Sequence, residues 1–180
     1  MLIIGLGNKA RHGKNYAAKC MLAHAAAHGV YGKEYGFADA LKAYCRVAFG
    51  MRKKDAPLLQ YVGTDIFRKK DPDVWVRVLL DTIEDQQPDL AIITDVRFPN
   101  EANAVRAAGG KLVHVSRLNE DGSHYVAPDR DPLHLSETAL DAYTFDYHIT
   151  AESGNVAHLR KSSETVLDDI WERSYAHSGV

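Results

Sequence analysis

The residues with the most chemical potential lie together in Asn8-Lys9-Ala10-Arg11-His12-Gly13-Lys14-Asn15. The apolar run Leu2-Ile3-Ile4-Gly5-Leu6 precedes them, and an alanine-rich pattern of helical period follows, up to His28-Gly29. A strand, a tight loop ending in Gly-Lys and a helix form the layout of a phosphate-binding loop. Backbone N–H groups of the loop and of the helix's first turn point at the anion, and the helix dipole adds positive potential there. Lys14 would then reach the β- and γ-phosphates of a nucleoside triphosphate. The usual spacing is G-x-x-x-x-G-K-[ST]. Here Asn8 stands at the first glycine, Gly7 sits one place early, and Asn15 stands where Ser or Thr touches Mg²⁺. Asn tolerates positive φ better than most residues, and an amide oxygen can serve a metal directly or through water, though more weakly. The competing reading is an ordinary Gly-containing turn from strand to helix.

Other polar residues fall where such a loop needs partners. Asp95 closes the apolar run Leu90-Ala91-Ile92-Ile93-Thr94. An acid there could hold Mg²⁺ through water or orient an acceptor group, or merely cap a turn. Arg97 could clamp an acceptor phosphate bidentately, or pair with Glu101 at the surface. Arg117 and Arg130 flank or lie in a polar stretch, where an arginine could neutralise charge on a phosphoryl group in transfer; Arg130 alone could equally be a solvated loop charge. Lys42 and Arg68 could form a second phosphate site or lie on solvated helix faces. Trp75 could stack on a base, but a Trp at helical spacing is as often core. His134 is a candidate proton carrier, although phosphoryl transfer needs positioning and charge neutralisation more than a strong base.

The elements that must position these groups follow from pattern. Gly29 and Gly32 punctuate a turn, and Glu34 to Ala38 reads as a short second strand. Asp39 can cap a helix from Ala40 to Phe49, stopped at Gly50. Pro57 can start a helix to Phe67 that carries Gly63-Thr64-Asp65, followed by Arg68. Asp71-Pro72 suits a cap and first helical residue for a helix from Asp73 to Gln86, with Val74, Val78 and Ile83 as its buried stripe. Residues 90–95 read as a buried parallel strand. A helix from Pro99 or Asn100 ends at Gly109-Gly110, and Leu112 to Val115 is the next strand. Leu118 to Leu135 lacks periodicity and has the composition of a lid. Ser136-Glu137 begins a short helix, Tyr147 to Ile149 is a fifth strand, and Val156 to Trp171 a closing helix, with a frayed tail from Ser174. This alternation specifies a three-layer α/β domain with a parallel sheet. The candidates Lys14, Lys42, Asp95, Arg97, Arg117 and the turn Glu152 to Asn155 all follow strands, where ligands bind in such folds.

Composition sets bounds. The chain has 180 residues, 46% of them hydrophobic, enough for one well-buried domain. A net charge of −2 gives no electrostatic case for stable nucleic-acid binding or membrane binding. The nine histidines show no zinc spacing, and Cys20 and Cys45 are expected reduced and buried, which points to the cytoplasm. No signal peptide or membrane-spanning run is visible.

Together the motifs resemble the phage-type deoxynucleoside monophosphate kinases, which share their fold with other P-loop kinases. The matching stretches are Lys9 to Asn15, Phe37 to Lys42, Leu59 to Asp65, Asp73 to Val76, Asp95 to Ala102, Ala107 to Gly110, Val113 to Arg117 and His134 to Glu137. They occur in the family's order over nearly the whole chain. The resemblance implies a single P-loop kinase domain over residues 1–180, with strand order 2-3-1-4-5 and a lid-like segment near 118–135. It implies ATP and Mg²⁺, the ATP phosphates held by Lys9, Ala10, Arg11, His12, Gly13, Lys14, Asn15 and Tyr16, and the adenine beside Glu152, Ser153, Gly154 and Asn155. Asn15 and Asp95 would position the metal. Lys42, Gly63, Thr64, Asp65, Arg68, Trp75, Asp95, Arg97, Glu101 and Arg130 would hold the deoxynucleoside monophosphate, with Arg117 acting at the transferred phosphoryl group. Tyr16 stands where the family often has Thr. The chain is short between Phe49 and Leu58, where larger members carry an insertion, so a base-recognising or dimer-forming segment is expected to be missing; the resemblance leaves room for a homodimer. If the chain is phage-encoded, its compartment is the host cytoplasm. Rival readings are a kinase of another phosphorylated small molecule or of a modified base in DNA, and a non-catalytic nucleotide-binding module.

Overall fold

The computed structural model describes residues 1–128 and 131–176. Five strands form one sheet in the order β2-β3-β1-β4-β5. They are β1 (Leu2–Gly7), β2 (Gly32–Tyr35), β3 (Leu90–Val96), β4 (Lys111–Leu118) and β5 (Tyr147–Glu152). Pairing is parallel between β1 and β3, β1 and β4, and β4 and β5. The helices are α1 (Lys14–Ala27), α2 (Phe37–Phe49), α3 (Ala56–Gln60), a π-helix (Tyr61–Arg68), α4 (Val74–Gln86), α5 (Pro99–Ala107), α6 (Leu135–Thr138) and α7 (Val156–Ala176). This is the expected α/β P-loop kinase fold with the expected strand order. Among the described residues, no helix is long and apolar enough to cross a membrane.

The chain divides into two compact units, residues 1–34 with 88–180, and residues 35–87. In the first, β1 and β3 are buried along nearly their whole length, as strands covered on both faces must be. Ile4, Leu6, Ile92 and Val115 of the sheet pack with Ala18 and Met21 of α1 and Leu167 and Ile170 of α7. The alanines of α1 let that helix lie close to the sheet: Ala17, Ala18 and Ala25 are fully buried. Gly7 closes β1 where a side chain would not fit, because a Cβ there would stand 2.5 Å from the Phe145 ring.

The second unit has its own core of Leu41, Cys45, Val62 and Trp75, with Leu58, Leu59 and Phe67 against it. Asp55 caps α3 by accepting from the Leu58 N–H at 3.0 Å. The helix then widens into the π-helix, which carries Gly63 against the Leu41 side chain. A Cβ on Gly63 would meet Leu41 at 2.5 Å.

Several boundaries differ from the sequence reading. The second strand runs over residues 32–35 instead of 34–38, because α2 already starts at Phe37. Asp39 thus lies in the first turn of α2 and pairs with Lys42 at 2.8 Å. Asp71-Pro72 does not open α4; that helix starts at Val74, and Asp71 accepts from the Asp73 N–H and pairs with Arg77. Ile83 is buried on α4 as expected, together with Trp75, Val76 and Leu79, while Val74 is half-buried and Val78 is exposed. Both cysteines are free and buried, as expected. Arg130 and the tail 177–180 lie outside the described residues.

Candidate active site

The turn between β1 and α1 is built on unusual backbone. Asn8, Arg11 and Gly13 all have positive φ, at 119°, 62° and 93°. Asn8 is held there by its own side chain, whose Nδ2 donates to the Val115 carbonyl of β4 at 2.8 Å. Gly13 precedes α1 with no side-chain cap, so the first amides of the helix are open to an anion. A Cβ on Gly13 would sit 2.9 Å from Leu159 Cδ2, at a φ that disfavours any L side chain. Gly13→Ala is therefore expected to cost roughly 1–3 kcal/mol. Urea unfolding would measure the loss, and the affinity for an ATP analogue should fall with it.

Lys14 is buried, 5% exposed, and folds back over the turn. Its Nζ donates to the carbonyls of Asn8 at 2.8 Å and Lys9 at 2.5 Å. Burial pushes its pKa down from 10.5 to about 7; the Arg97 guanidinium acts in the same direction, while Glu137 and Asp95 oppose it. The structure thus brings Lys14, Asp95 and Arg97 into one electrostatic neighbourhood at the carboxyl ends of β1 and β3.

The Arg97 guanidinium meets Glu137. Its Nη1 donates to Glu137 Oε1 at 2.7 Å, and Glu137 is 6% exposed. The other oxygen of Glu137 accepts from the Ala10 amide at 2.7 Å. Sequence reasoning gave the Ala10 amide to phosphate; the structure gives it to Glu137, a residue quoted within a matching stretch without a role. Glu101 is 2% exposed and accepts from the backbone N–H groups of Arg97 at 2.8 Å and Phe98 at 3.2 Å. It supports the turn that carries Arg97.

Oxygen donors for a metal gather near Asn15. Its Nδ2 donates to Glu34 Oε1 at 3.2 Å, and Thr94 Oγ1 donates to the same oxygen at 3.3 Å. Glu34, at the end of β2, was not singled out from sequence; only its place after an apolar turn marked it. Among the described residues, no three His, Cys, Asp or Glu side chains are grouped to hold a metal ion. The hard oxygens of Asn15, Asp95 and Glu34 suit Mg²⁺ of the kind that keeps waters and arrives with phosphate.

On the other side of the turn lies a cavity of about 280 Å³ lined by Arg11, Gly13, Tyr16, Arg117, Glu152, Gly154 and Asn155. Gly154 turns the chain at φ 85°, and Asn155 Oδ1 accepts from the His158 N–H at the start of α7. Arg117 was expected at the transferred phosphoryl group. Its Nε instead donates to Ser153 Oγ at 2.8 Å, and its guanidinium lies 3.9 Å from the centre of the Tyr125 ring. Those two contacts hold it flat as a wall of this cavity.

His12 ties the turn to that wall. Asn8 Nδ2 and the Arg117 N–H both lie within bonding distance of Nδ1, at 3.2 and 3.1 Å. Since both are donors, Nδ1 accepts, and Nε2–H donates to the Tyr125 carbonyl at 3.0 Å. Burial lowers the His12 pKa to about 4 and does the same for His114, whose ring lies 5.3 Å from that of His148. Both folded values lie below the ordinary 6.5, so the unfolded chain binds these protons first. Their contribution to stability is whole above pH 6.5 and is lost as the pH falls towards 4. Melting temperatures recorded from pH 7 to pH 4.5 should fall steadily, and His114→Gln should flatten part of that fall.

The remaining expected substrate residues belong to the second unit. Lys42 is paired with Asp39 on α2. Thr64, Asp65 and Arg68 lie on the π-helix, the first two exposed and Arg68 half-buried. Trp75 is 6% exposed, donates through Nε1 to the Gly63 carbonyl at 3.2 Å and packs against Phe67. Its ring is core and does not form an open stacking platform.

The family described as deoxynucleotide monophosphate kinase matches residues 56–162. A deoxynucleoside-5′-monophosphate kinase of Escherichia phage T5 is 44% identical over 50 residues, 27% of this chain and 20% of that protein. An uncharacterized protein of Ictalurid herpesvirus 1 is 33% identical over 95 residues, 51% of this chain and 39% of its own length. The chain thus spans well under two thirds of both. A protein of Acanthamoeba polyphaga mimivirus with the provisional name deoxynucleotide monophosphate kinase is 27% identical over 161 residues, covering 69% of this chain and 79% of its own. Among solved structures, a gluconokinase of Sinorhizobium meliloti superposes with TM-score 0.52 at 16% identity, over 98% of this chain and 97% of that one. The APS kinase of Mycobacterium tuberculosis gives 0.51 at 12%, over 93% and 95%. These two likenesses concern the fold alone.

Proposed function

Because this chain belongs to the deoxynucleotide monophosphate kinase family, we propose that it transfers the γ-phosphoryl group of ATP to a deoxynucleoside 5′-monophosphate, giving the diphosphate. The observation that carries this reading is the buried Lys14, folded back onto the carbonyls of Asn8 and Lys9 at a turn whose helix begins without a side-chain cap. Such a constellation serves phosphoryl transfer, which asks for positioning and charge neutralisation rather than covalent help from the protein. Lys14 and the amides from Arg11 to Asn15 hold the ATP phosphates. The cavity walled by Arg117, Gly154 and Asn155 takes the adenine, with the guanidinium over one face of the base. Arg97 grips the acceptor phosphate. Asn15, Asp95 and Glu34 would hold Mg²⁺, which when bound offsets charge on the β- and γ-phosphates. The dry surroundings of Lys14 strengthen its attraction for phosphate.

A coupled assay of ADP release across the deoxynucleoside monophosphates tests the proposal. Turnover with at least one of them, lost in Lys14→Met, is the expected result. Equal rates for both proteins with every acceptor would overturn it.

A further inference from the structure

We propose that Glu137 is a positioning residue, which sets the phosphate-binding turn and Arg97 in register by bridging the Ala10 amide and the Arg97 guanidinium with one buried carboxylate. The inference rests on the ATP-binding role given to the turn above. The geometry is specific. Oε2 accepts from Ala10 N at 2.7 Å and Oε1 from Arg97 Nη1 at 2.7 Å, so each oxygen is committed to a different element of the site. Arg97 Nη1 also lies 3.4 Å from the Ser136 carbonyl, so the same short helix grips the guanidinium twice.

The bridge does more than fill space. Ala10 lies three residues before Gly13 and the uncapped start of α1, so Glu137 holds the entry of the turn. Charge-assisted hydrogen bonds of this length in a buried setting are strong and directional. The bridge therefore fixes the distance between the residue that would bind the acceptor and the turn that would bind the donor. In-line transfer depends on that distance. The helix α6 that bears Glu137 starts right after the segment 118–135. His134 caps it by accepting from the Ser136 N–H at 3.2 Å. The far end of that segment is thus pinned to the turn.

The test uses Glu137→Gln, which keeps the side-chain length but replaces one acceptor oxygen with a donor, and Glu137→Asp, which keeps the charge but is one methylene short. The measurements are kcat and KM with the best acceptor, the melting temperature, and the Ala10 amide resonance of ¹⁵N-labelled protein with and without a non-hydrolysable ATP analogue. Glu137→Gln should lower kcat/KM for the acceptor about 10- to 100-fold, mainly through kcat, and should move the Ala10 resonance. Glu137→Asp, which keeps the charge, should recover part of the rate. A brace that merely stabilised residues 131–141 would lower the melting temperature and leave kcat and KM unchanged while the variant is folded, and that result would overturn the proposal. The wild-type resonance gives a reading that needs no folded variant. The Ala10 amide should remain hydrogen-bonded when the analogue binds; if binding releases it, Glu137 is a displaceable stand-in anion and the proposal falls. Failure of the kinase reading has a different signature: the analogue does not bind to wild type, while the Ala10 resonance still reports the bridge.

Discussion

Replacing Lys14 with Met is expected to lower kcat/KM for ATP by about 10²- to 10³-fold, the usual cost of removing one preorganised charge from a transferring phosphoryl group. The same change is expected to leave the melting temperature undiminished. Lys14 is 5% exposed, and burial pulls its proton affinity down to about 7. The sign of the linkage follows. An amine whose folded pKa lies below its unfolded value of 10.5 opposes folding, fully below pH 7 and progressively less as the pH rises from 7 to 10.5. Met fills the same channel without a charge to desolvate, so the penalty vanishes. A site residue whose removal harms activity but not stability has its surroundings arranged for a ligand rather than for the fold. In the wild type, a bound triphosphate should restore the proton to Lys14, so affinity should weaken by up to about tenfold per pH unit above pH 7. Calorimetric titration of an ATP analogue at pH 6.5, 7.5 and 8.5 reads this directly. An affinity flat across that range would show that the ammonium stays charged in the free protein.

The largest effect on folding is expected from Glu101→Ala. Glu101 is among the largest fully buried side chains and accepts from two successive backbone amides, those of Arg97 and Phe98. Truncation leaves two amides without the charged acceptor they had and opens a void beneath α5. Two hydrogen bonds to a charged group account for roughly 3 kcal/mol or more, equivalent to about 6–12 °C in melting temperature for a chain of this size. Glu101→Gln keeps one acceptor oxygen and should lose about half as much. Because the turn carries Arg97, activity should fall faster than stability alone explains, and the excess should appear in KM for the acceptor. A melting temperature unchanged in Glu101→Ala would mean that water or a neighbouring group replaces the carboxylate.

The parts of this molecule that could be read from sequence are those set by local pattern. Leu90 to Thr94 and Leu2 to Leu6 are unbroken apolar runs, and both are strands buried on two faces. Gly13-Lys14 at a strand-to-helix turn needed only neighbours in the chain, and Asn8 takes the positive φ expected of it. Where two patterns overlapped, the reading slipped. The helix starting at Phe37 takes up residues read as strand, and on α4 Val76 and Leu79 are buried while Val78 faces out. The Gly63 carbonyl, turned towards the Trp75 indole, lies in a π-helix that no hydrophobic period marks.

What sequence could not give was the set of partners far apart in the chain. Arg97 looked ready to pair with Glu101, four residues on, yet its guanidinium meets Glu137 forty residues away. Arg117 seemed free for the phosphate until Ser153 and Tyr125 were seen to hold it. Glu34 shares one oxygen between Asn15 and Thr94, a meeting that only the order of the strands brings about. In each case the residue type announced a charge, and the tertiary fold decided where the charge was used.

The two free thiols provide the means to follow how the molecule comes apart. Cys20 is 8% exposed in α1, and Cys45 is fully sealed in α2, so each of the two compact units holds one. A thiol-alkylating reagent can reach either sulfur only when its surroundings open. Pulse labelling followed by mass spectrometry of the two peptides would therefore time the breathing of each half separately, with no engineered probe. Adding nucleotide to the same experiment would reveal which half it quiets.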